Sequence, residues 1–407
     1  RFEEMDGAHF PSFGTAAIHV GQEPEQWSMN QVVPVISTAA TYKQTKPGVH
    51  RGCNYGRGSN PTRDALQRNL AALEDAKYCV AFASGMAATS AVVNILKAGD
   101  HIICSEGCYG GTHRLLEQFY APQQSIETTF LDLTREPAVL QEAIKENTKL
   151  LWIESPSNPL MTVVDIAAVV TTAKRQNPKI IVVVDNTFMS PYFQRPLSLG
   201  ADIVVHSLTK YISGHSDVIM GGAFTDRDDI KTHLSFQQRA IGGIPSPFDC
   251  YLVNRSTKTL HLRMRAHYEN ALAVAHFLEG HSAVERVLYP ALPSHPQFAV
   301  HQKQTLGSSG VLSFYLRGGL EEREAFLDAL KVFTLGESLG GVESLVGIPV
   351  IMTHSDVPEE ERLRLGITDN LIRLSVGVED KEDLIADLSQ ALRKSVEIAD
   401  RSSSPGC

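Results

Sequence analysis

The stretch Val205-His206-Ser207-Leu208-Thr209-Lys210-Tyr211 places a lysine directly after two hydroxyl residues at the end of an apolar run. A lysine amine bonds covalently to a carbonyl compound once burial or neighbouring charge lowers its pKa, and hydroxyls beside it can anchor a phosphate. Read alone, the string is better taken as an ordinary lysine closing a strand. Asp185 changes that weighting. It ends the run Ile181-Val182-Val183-Val184, one strand–crossover–strand unit before Lys210, so both belong on the same edge of a parallel sheet. A carboxylate there can keep a pyridine nitrogen protonated so that the ring accepts electrons, although turn and helix-capping aspartates are common at such positions. With lysine and aspartate so arranged, pyridoxal phosphate becomes as good a reading as the structural one. A third feature is Ala83-Ser84-Gly85-Met86-Ala87-Ala88-Thr89, where an apolar run passes through Ser-Gly into a helical pattern. Amides at a helix start, with glycine permitting close approach, make an anion site, and small residues there serve tight packing equally well.

Three other residues or pairs carry weaker signals. Arg373 lies in the otherwise apolar run Leu371-Ile372-Arg373-Leu374-Ser375-Val376, where a guanidinium needs a partner. A substrate carboxylate fits its fork, and a structural salt bridge satisfies it as well. Cys104 and Cys108 have no second ligand pair at a metal-binding distance, so no metal site is expected. His206 reads as a hydrogen-bonded core histidine.

These residues need elements to hold them. Tyr78–Ala83, His101–Cys104, Leu150–Glu154, Ile180–Asp185, Ile203–His206 and Gly221–Phe224 are β-type runs alternating with amphipathic helical stretches. Several are continuously apolar, as parallel strands covered on both faces should be. Asn60-Pro61 supplies an N-cap and first helical residue, followed by Leu66, Leu70 and Leu73 at helical spacing. The region before it lacks periodicity and reads as an extended arm that packs on a neighbouring subunit or domain. From about Asp249 a long helical pattern leads into a second region, where Val311–Leu316 and Leu371–Val376 alternate like strands. The expected architecture is α/β. It comprises an arm over 1–55, a mostly parallel sheet with helices on both faces over 56–253, and a smaller C-terminal α+β domain over 254–407. The tail Arg401–Cys407 reads as loose.

The whole-chain balance fits an ordinary folded protein. With 407 residues, 43% hydrophobic and 20% charged, the chain can bury large cores, and its length calls for two or three domains. A net charge of −9 opposes a general nucleic-acid or anionic-membrane surface. No apolar run reaches the roughly 18–20 residues that span a bilayer. Six irregularly spaced cysteines are too sparse for a disulfide scaffold, which points to a reducing cytosol. A targeting segment upstream of Arg1 is left open.

Ser207-Leu208-Thr209-Lys210-Tyr211 with Gly214-His215-Ser216-Asp217, Asp185-Asn186-Thr187-Phe188, Tyr109-Gly110-Gly111-Thr112, Tyr55-Gly56-Arg57 and Asn60-Pro61-Thr62 together resemble the Cys/Met-metabolism group of fold-type I pyridoxal-phosphate enzymes. The likeness runs over nearly the whole chain. It implies pyridoxal 5'-phosphate as cofactor, Lys210 as the lysine that carries it and Asp185 as the partner of the pyridinium nitrogen. By the same resemblance Tyr109 stacks on the ring and assists proton transfer, and Asn158 lies near the cofactor hydroxyl. Gly85, Met86, Ser207 and Thr209 form the phosphate cradle, and Tyr55 and Arg57 reach the phosphate of a neighbouring subunit. Arg373, Ser338, Arg114 and Glu337 match substrate-side positions. The activity implied is cleavage of the Cγ–S bond of cystathionine, with hydrogen-sulfide release from cysteine or homocysteine as a related outcome. The assembly implied is a homo-oligomer, a tetramer built from dimers. Gly111 stands where methionine-cleaving members carry cysteine, which lowers that reading; γ-synthesis from an incoming thiol is the nearer rival. A catalytically silent scaffold on the same fold is the alternative of another class.

Overall fold

A computed structural model describes residues 12–355 and 357–403, the last four of these by backbone alone. The chain forms two compact units. The first takes Arg1–Ser105, Arg114–Ile153 and Ile166–His261; the second takes Glu106–His113, Glu154–Asp165 and Leu262–Cys407.

The first unit is built on strands β1 (Tyr78–Phe82), β2 (His101–Ser105), β3 (Glu127–Leu131), β4 (Thr148–Glu154), β5 (Ile181–Asp185), β6 (Ile203–Ser207) and β7 (Gly221–Thr225). Their order across the sheet is β1-β7-β6-β5-β4-β2-β3. β2 pairs in parallel with β3 and β4, and β5 with β6, whereas β7 runs antiparallel to both β1 and β6. The parallel pairing brings Asp185 opposite Val205, so the ends of β5 and β6 lie side by side. β3 was not among the sequence-predicted strands. It is an edge strand of sequence Glu-Thr-Thr-Phe-Leu with no fully buried residue, so it lacks the continuous apolar run that marks its neighbours.

Three helices of this unit matter for the site. Helix α1 (Phe13–His19) corrects the expectation of a wholly extended arm. Its Ala16 and Ala17 are buried together with Leu73, and two small side chains over seven residues are too few to show a helical period. Helix α2 (Pro61–Glu74) starts as its sequence indicates, with Asn60 Oδ1 accepting from Thr62 N at 3.0 Å and Arg63 N at 3.2 Å. The buried Asn69 amide of α2 donates to the carbonyls of Ala16, Ala17 and Val20, satisfying the end of α1. Helix α3 (Gly85–Val93) is capped by Ser84, whose Oγ accepts from Ala87 N at 3.0 Å.

The second unit holds strands β8 (Val284–Leu288), β9 (Val311–Leu316), β10 (Thr334–Leu335), β11 (Leu345–Gly347) and β12 (Leu371–Ser375), ordered β10-β11-β12-β9-β8. All neighbours are antiparallel except β10 and β11. Helix Leu320–Ala329 packs on the closing helix Lys381–Ser403. Asp387 of that helix is buried and accepts from the backbone nitrogens of Lys331, Val332 and Phe333, fixing the loop between them. The expected loose tail is corrected over 401–403, where the helix continues. Leu384, Leu388, Ala391, Leu392 and Ser395 are buried at helical spacing and carry it past the point where serines begin. Residues 404–407, like 1–11, lie outside the described residues. Among the described residues no helix is long and apolar enough to cross a membrane, and no group of three or more histidine, cysteine, aspartate or glutamate side chains is placed to hold a metal.

Candidate active site

In the first unit the chain turns tightly after β6. Lys210 N donates to Ser207 O at 3.2 Å, Ser213 N to Leu208 O at 2.8 Å, and Gly214 N to Lys210 O at 2.7 Å. Leu208 and Tyr211 are fully buried and pin the turn, leaving Lys210 half-buried at its crest. Thr209 braces it from the other side: Met220 N donates to its Oγ1 at 3.0 Å, just before β7. Ser207 is tied to β5 through Thr187, whose Oγ1 accepts from Ser207 N at 2.8 Å. Thr187 N in turn donates to Asp185 Oδ1 at 3.0 Å. Asp185 and the Lys210 turn are therefore coupled through one hydroxyl residue that the sequence reading did not single out. Its only sequence signal is a threonine two places after an aspartate, the spacing of an aspartate-capped turn.

Burial pushes the Asp185 carboxyl up, while the hydrogen bonds from Thr187 and the nearby His206 oppose that rise. His206, as expected of a core histidine, is buried, with Nε2 2.7 Å from Glu74 Oε2 of α2. The Glu74 carboxyl is likewise pushed up by burial and drawn back by His206.

The cradle depends on close backbone approach. A Cβ on Gly85 would lie 3.1 Å from Ser207 Cβ and 3.2 Å from its Oγ. One on Gly221 would lie 2.2 Å from the Ser84 carbonyl oxygen, inside van der Waals contact. The start of α3 thus packs against the ends of β6 and β7 only because these positions lack side chains. The first-turn amides of a helix have no intrahelical acceptor, so Gly85 and Met86 present donors beside the Ser207 hydroxyl. An amine, a carboxylate and a set of phosphate donors at neighbouring strand ends fit pyridoxal phosphate. Tyr55 at the end of the arm and Arg57 just beyond it lie exposed, with the guanidinium 5.7 Å from the ring and Nη1 donating to Arg239 O at 2.8 Å. Arg114 is exposed at the end of helix α4 (Gly110–Arg114).

In the second unit Tyr109 N donates to Glu154 Oε2 at 2.7 Å, and the residue is 44% exposed. Asn158 and Arg373 are both buried and meet directly, Arg373 Nη1 donating to Asn158 Oδ1 at 3.1 Å. Arg373 Nη2 donates to Ser338 O at 2.7 Å. Ser338 has φ of 95°, a left-handed conformation that a serine adopts only under local constraint, and Glu337 beside it is exposed. These two oxygen acceptors bind different guanidinium nitrogens and so orient the fork. The structure thus gathers Asp185, Ser207, Thr209, Lys210, Gly85 and Met86 in the first unit, and Asn158, Arg373 and Ser338 in the second. His354 joins the second group and was also missed, since a single histidine in Met352-Thr353-His354-Ser355 carries no spacing signal.

Comparison with known proteins bears on these groups. The profile of the family described as "Cys/Met metabolism PLP-dependent enzyme" matches residues 14–393. A cystathionine gamma-lyase of Macaca fascicularis is 53% identical over 385 residues, covering 95% of this chain and 94% of the relative. The crystal structure of cystathionine gamma-lyase from Lactobacillus plantarum complexed with L-serine superposes with a TM-score of 0.90 at 41% identity, covering 95% of this chain and 99% of that one. Cystathionine gamma synthase from Xanthomonas oryzae, in complex with aminoacrylate and cysteine, gives 0.91 at 40% identity with the same coverages.

Proposed function

Because the chain belongs to the Cys/Met metabolism family of enzymes dependent on pyridoxal 5'-phosphate, we propose that it cleaves the Cγ–S bond of L-cystathionine. The reaction consumes water and yields cysteine, 2-oxobutanoate and ammonia. The observation that carries this reading is the coupling of Asp185 to the Lys210 turn through Thr187. It holds a carboxylate and an amine at adjacent strand ends, as electron withdrawal from an amino acid's Cα requires. The choice of substrate follows the relatives named cystathionine gamma-lyase.

When bound, the cofactor supplies a protonated pyridine ring that accepts electrons from Cα. Asp185 holds the proton on the ring nitrogen. Gly85, Met86, Ser207 and Thr209 bind the phosphate, and Asn158 takes the ring hydroxyl. Lys210 Nζ holds the cofactor at rest. With the amino-acid substrate bound and Nζ free, Nζ would accept the proton from Cα. Lys210 Nζ would then pass that proton on and take another from Cβ, so that the Cβ electrons could form the Cβ–Cγ double bond as the Cγ–S bond breaks with its pair on sulfur. Tyr109 would pack on the cofactor ring and deliver a proton to that sulfur. Arg373 and Ser338 receive the α-carboxylate, with Arg114 and Glu337 toward the distal end. A carboxylate at Glu337 suits the distal ammonium of cystathionine. The same site acting on cysteine or homocysteine releases hydrogen sulfide.

We assign the catalytic form to a homo-oligomer, a tetramer arranged as a dimer of dimers in the cytosol, in which Tyr55 and Arg57 of the 1–55 arm and its junction reach the phosphate of the neighbouring subunit. The test is a product assay: purified protein with cystathionine, with cysteine, homocysteine, 2-oxobutanoate and pyruvate measured separately. Cysteine and 2-oxobutanoate in equal amounts are expected. Homocysteine and pyruvate would refute γ-cleavage. Faster formation of cystathionine from an O-acylated homoserine and cysteine would make the chain a synthase.

A further inference from the structure

We propose that His354 is a positioning residue for the substrate: its neutral imidazole fixes Asn158, and through Asn158 the plane of the Arg373 guanidinium. The inference rests on reading Arg373 as the partner of the substrate carboxylate and assigns how that arginine is aimed.

The bonding pattern of the ring leaves one tautomer. His354 Nε2 lies 3.1 Å from the Asn158 carbonyl oxygen, which has no proton to give, so Nε2 carries the hydrogen. Nδ1 is then a bare acceptor, 2.9 Å from Thr353 Oγ1, whose hydroxyl donates to it. Doubly protonated, the ring would lose that acceptor and set a cation beside a guanidinium. Burial, followed by the charges of Arg373, Arg362 and His113, pushes its pKa down to about 4. The ring therefore remains neutral wherever Arg373 would be receiving a carboxylate.

The surroundings hold the imidazole still. His354 is 2% exposed. Arg362 Nη1 donates to the carbonyls of Ser355 at 3.2 Å and Val357 at 2.9 Å, clamping the turn that carries the ring. On the other side a Cβ at Gly110 would sit 3.0 Å from the Thr353 carbonyl oxygen, so the turn after Tyr109 packs directly on this segment. Asn158 is gripped twice, by His354 at its backbone oxygen and by Arg373 at its side-chain oxygen. Arg373 is likewise gripped at two different nitrogens, by Asn158 and by the Ser338 carbonyl. Two anchors on separate nitrogens define the plane of the fork, and a bidentate carboxylate is sensitive to that plane. Removing the Nε2 donor frees the Asn158 carbonyl, and the fork loses a fixed reference at Nη1.

The experiment separates this role from general damage by using two isosteres. Gln places an amide nitrogen near the position of Nε2, whereas Asn reaches only that of Nδ1. In the holoenzyme, His354→Asn should weaken glycine binding about tenfold by isothermal titration calorimetry. His354→Gln should remain within about threefold of wild type. Glycinamide, which has the amine without the carboxylate, should bind wild type and both variants alike. Arg373→Ala serves as the reference for loss of the carboxylate partner. Glycine binding equal to wild type in both His354 variants, with Arg373→Ala weakened, overturns the positioning role and leaves the carboxylate reading intact. Unchanged glycine binding in Arg373→Ala overturns both. Equal weakening of glycine and glycinamide by His354→Asn identifies a structural loss and also overturns it. If His354→Asn does not fold, a tenfold loss of glycine affinity in His354→Gln suffices against it.

Discussion

At the scale of single residues, Lys210 and Asp185 were legible because each terminates an apolar run, and a polar residue at such a point lies at a strand end. Thr187 was not, because its role arises from a bond to the neighbouring strand, and no spacing along the chain encodes that. His354 is similar, its partners lying far away in sequence. Lys210→Ala should abolish turnover, by at least about a thousandfold, while the protein stays folded, since it removes the cofactor's anchor and the α-proton base together. Circular dichroism and steady-state assays check this, and near-normal turnover would end the mechanism proposed. Thr187→Val keeps the shape and the backbone bond to Asp185 but leaves Ser207 N–H without its acceptor. Leaving one buried donor unsatisfied costs about 1–3 kcal/mol. Cofactor retention on dialysis should therefore fall about tenfold with little change in far-ultraviolet signal, and unaltered retention would exclude Thr187 from the coupling.

At the scale of elements, the strands that the chain announces are those buried on both faces. The edge strand β3, half-exposed and rich in threonine, is announced by nothing but its pairing with β2. The antiparallel direction of β7 was equally hidden, because strand direction depends on how the connection to β6 closes, whereas apolar pattern is the same in either sense. Helix α2 was legible from its cap and α1 was not, since α1 buries only two small side chains of its own and its end is tied down by Asn69 of another helix. The junction of α3 with β6 and β7 ties the element scale to the site. Gly221→Ala puts a methyl 2.2 Å from the backbone carbonyl of Ser84, and neither backbone can yield without moving the start of α3. Overpacking of this kind costs about 1–3 kcal/mol. A lower Tm and a disproportionately weakened affinity for the cofactor's phosphate are expected from thermal scans and equilibrium dialysis. Wild-type values of both would mean that the cradle tolerates expansion.

At the scale of the whole molecule, buried histidines set a limit on acid tolerance. His267, His295, His301 and His354 of the second unit are each pushed down to about 4, first of all by burial. Their unfolded value is about 6.5, so below it the unfolded chain binds more protons than the folded one. The stability they contribute is complete above about pH 6.5 and is lost as pH falls through 4, which urea titrations at stepped pH would register as a declining midpoint. A flat midpoint between pH 6.5 and 4.5 would contradict the burial of these rings. Assembly is the other property of the whole molecule. Met29 and Val32 on the arm are 83% and 75% exposed, and Phe236 and Ile241 of helix Asp228–Ile241 are 57% and 68% exposed, apolar side chains that a neighbouring subunit would cover on assembly. Arg57 rests against the end of that same helix. If Arg57 serves the phosphate of a neighbouring subunit, Arg57→Ala and Lys210→Ala damage different halves of a shared site. Each variant alone should be inactive as a homodimer. Subunits of the two, mixed equally and allowed to exchange, should form mixed dimers in about half of all pairings, each with one site built from two intact halves. Recovered activity should then approach about one quarter of wild type per site, and mass-resolved proof of exchange without any recovery would show that Arg57 acts within its own subunit.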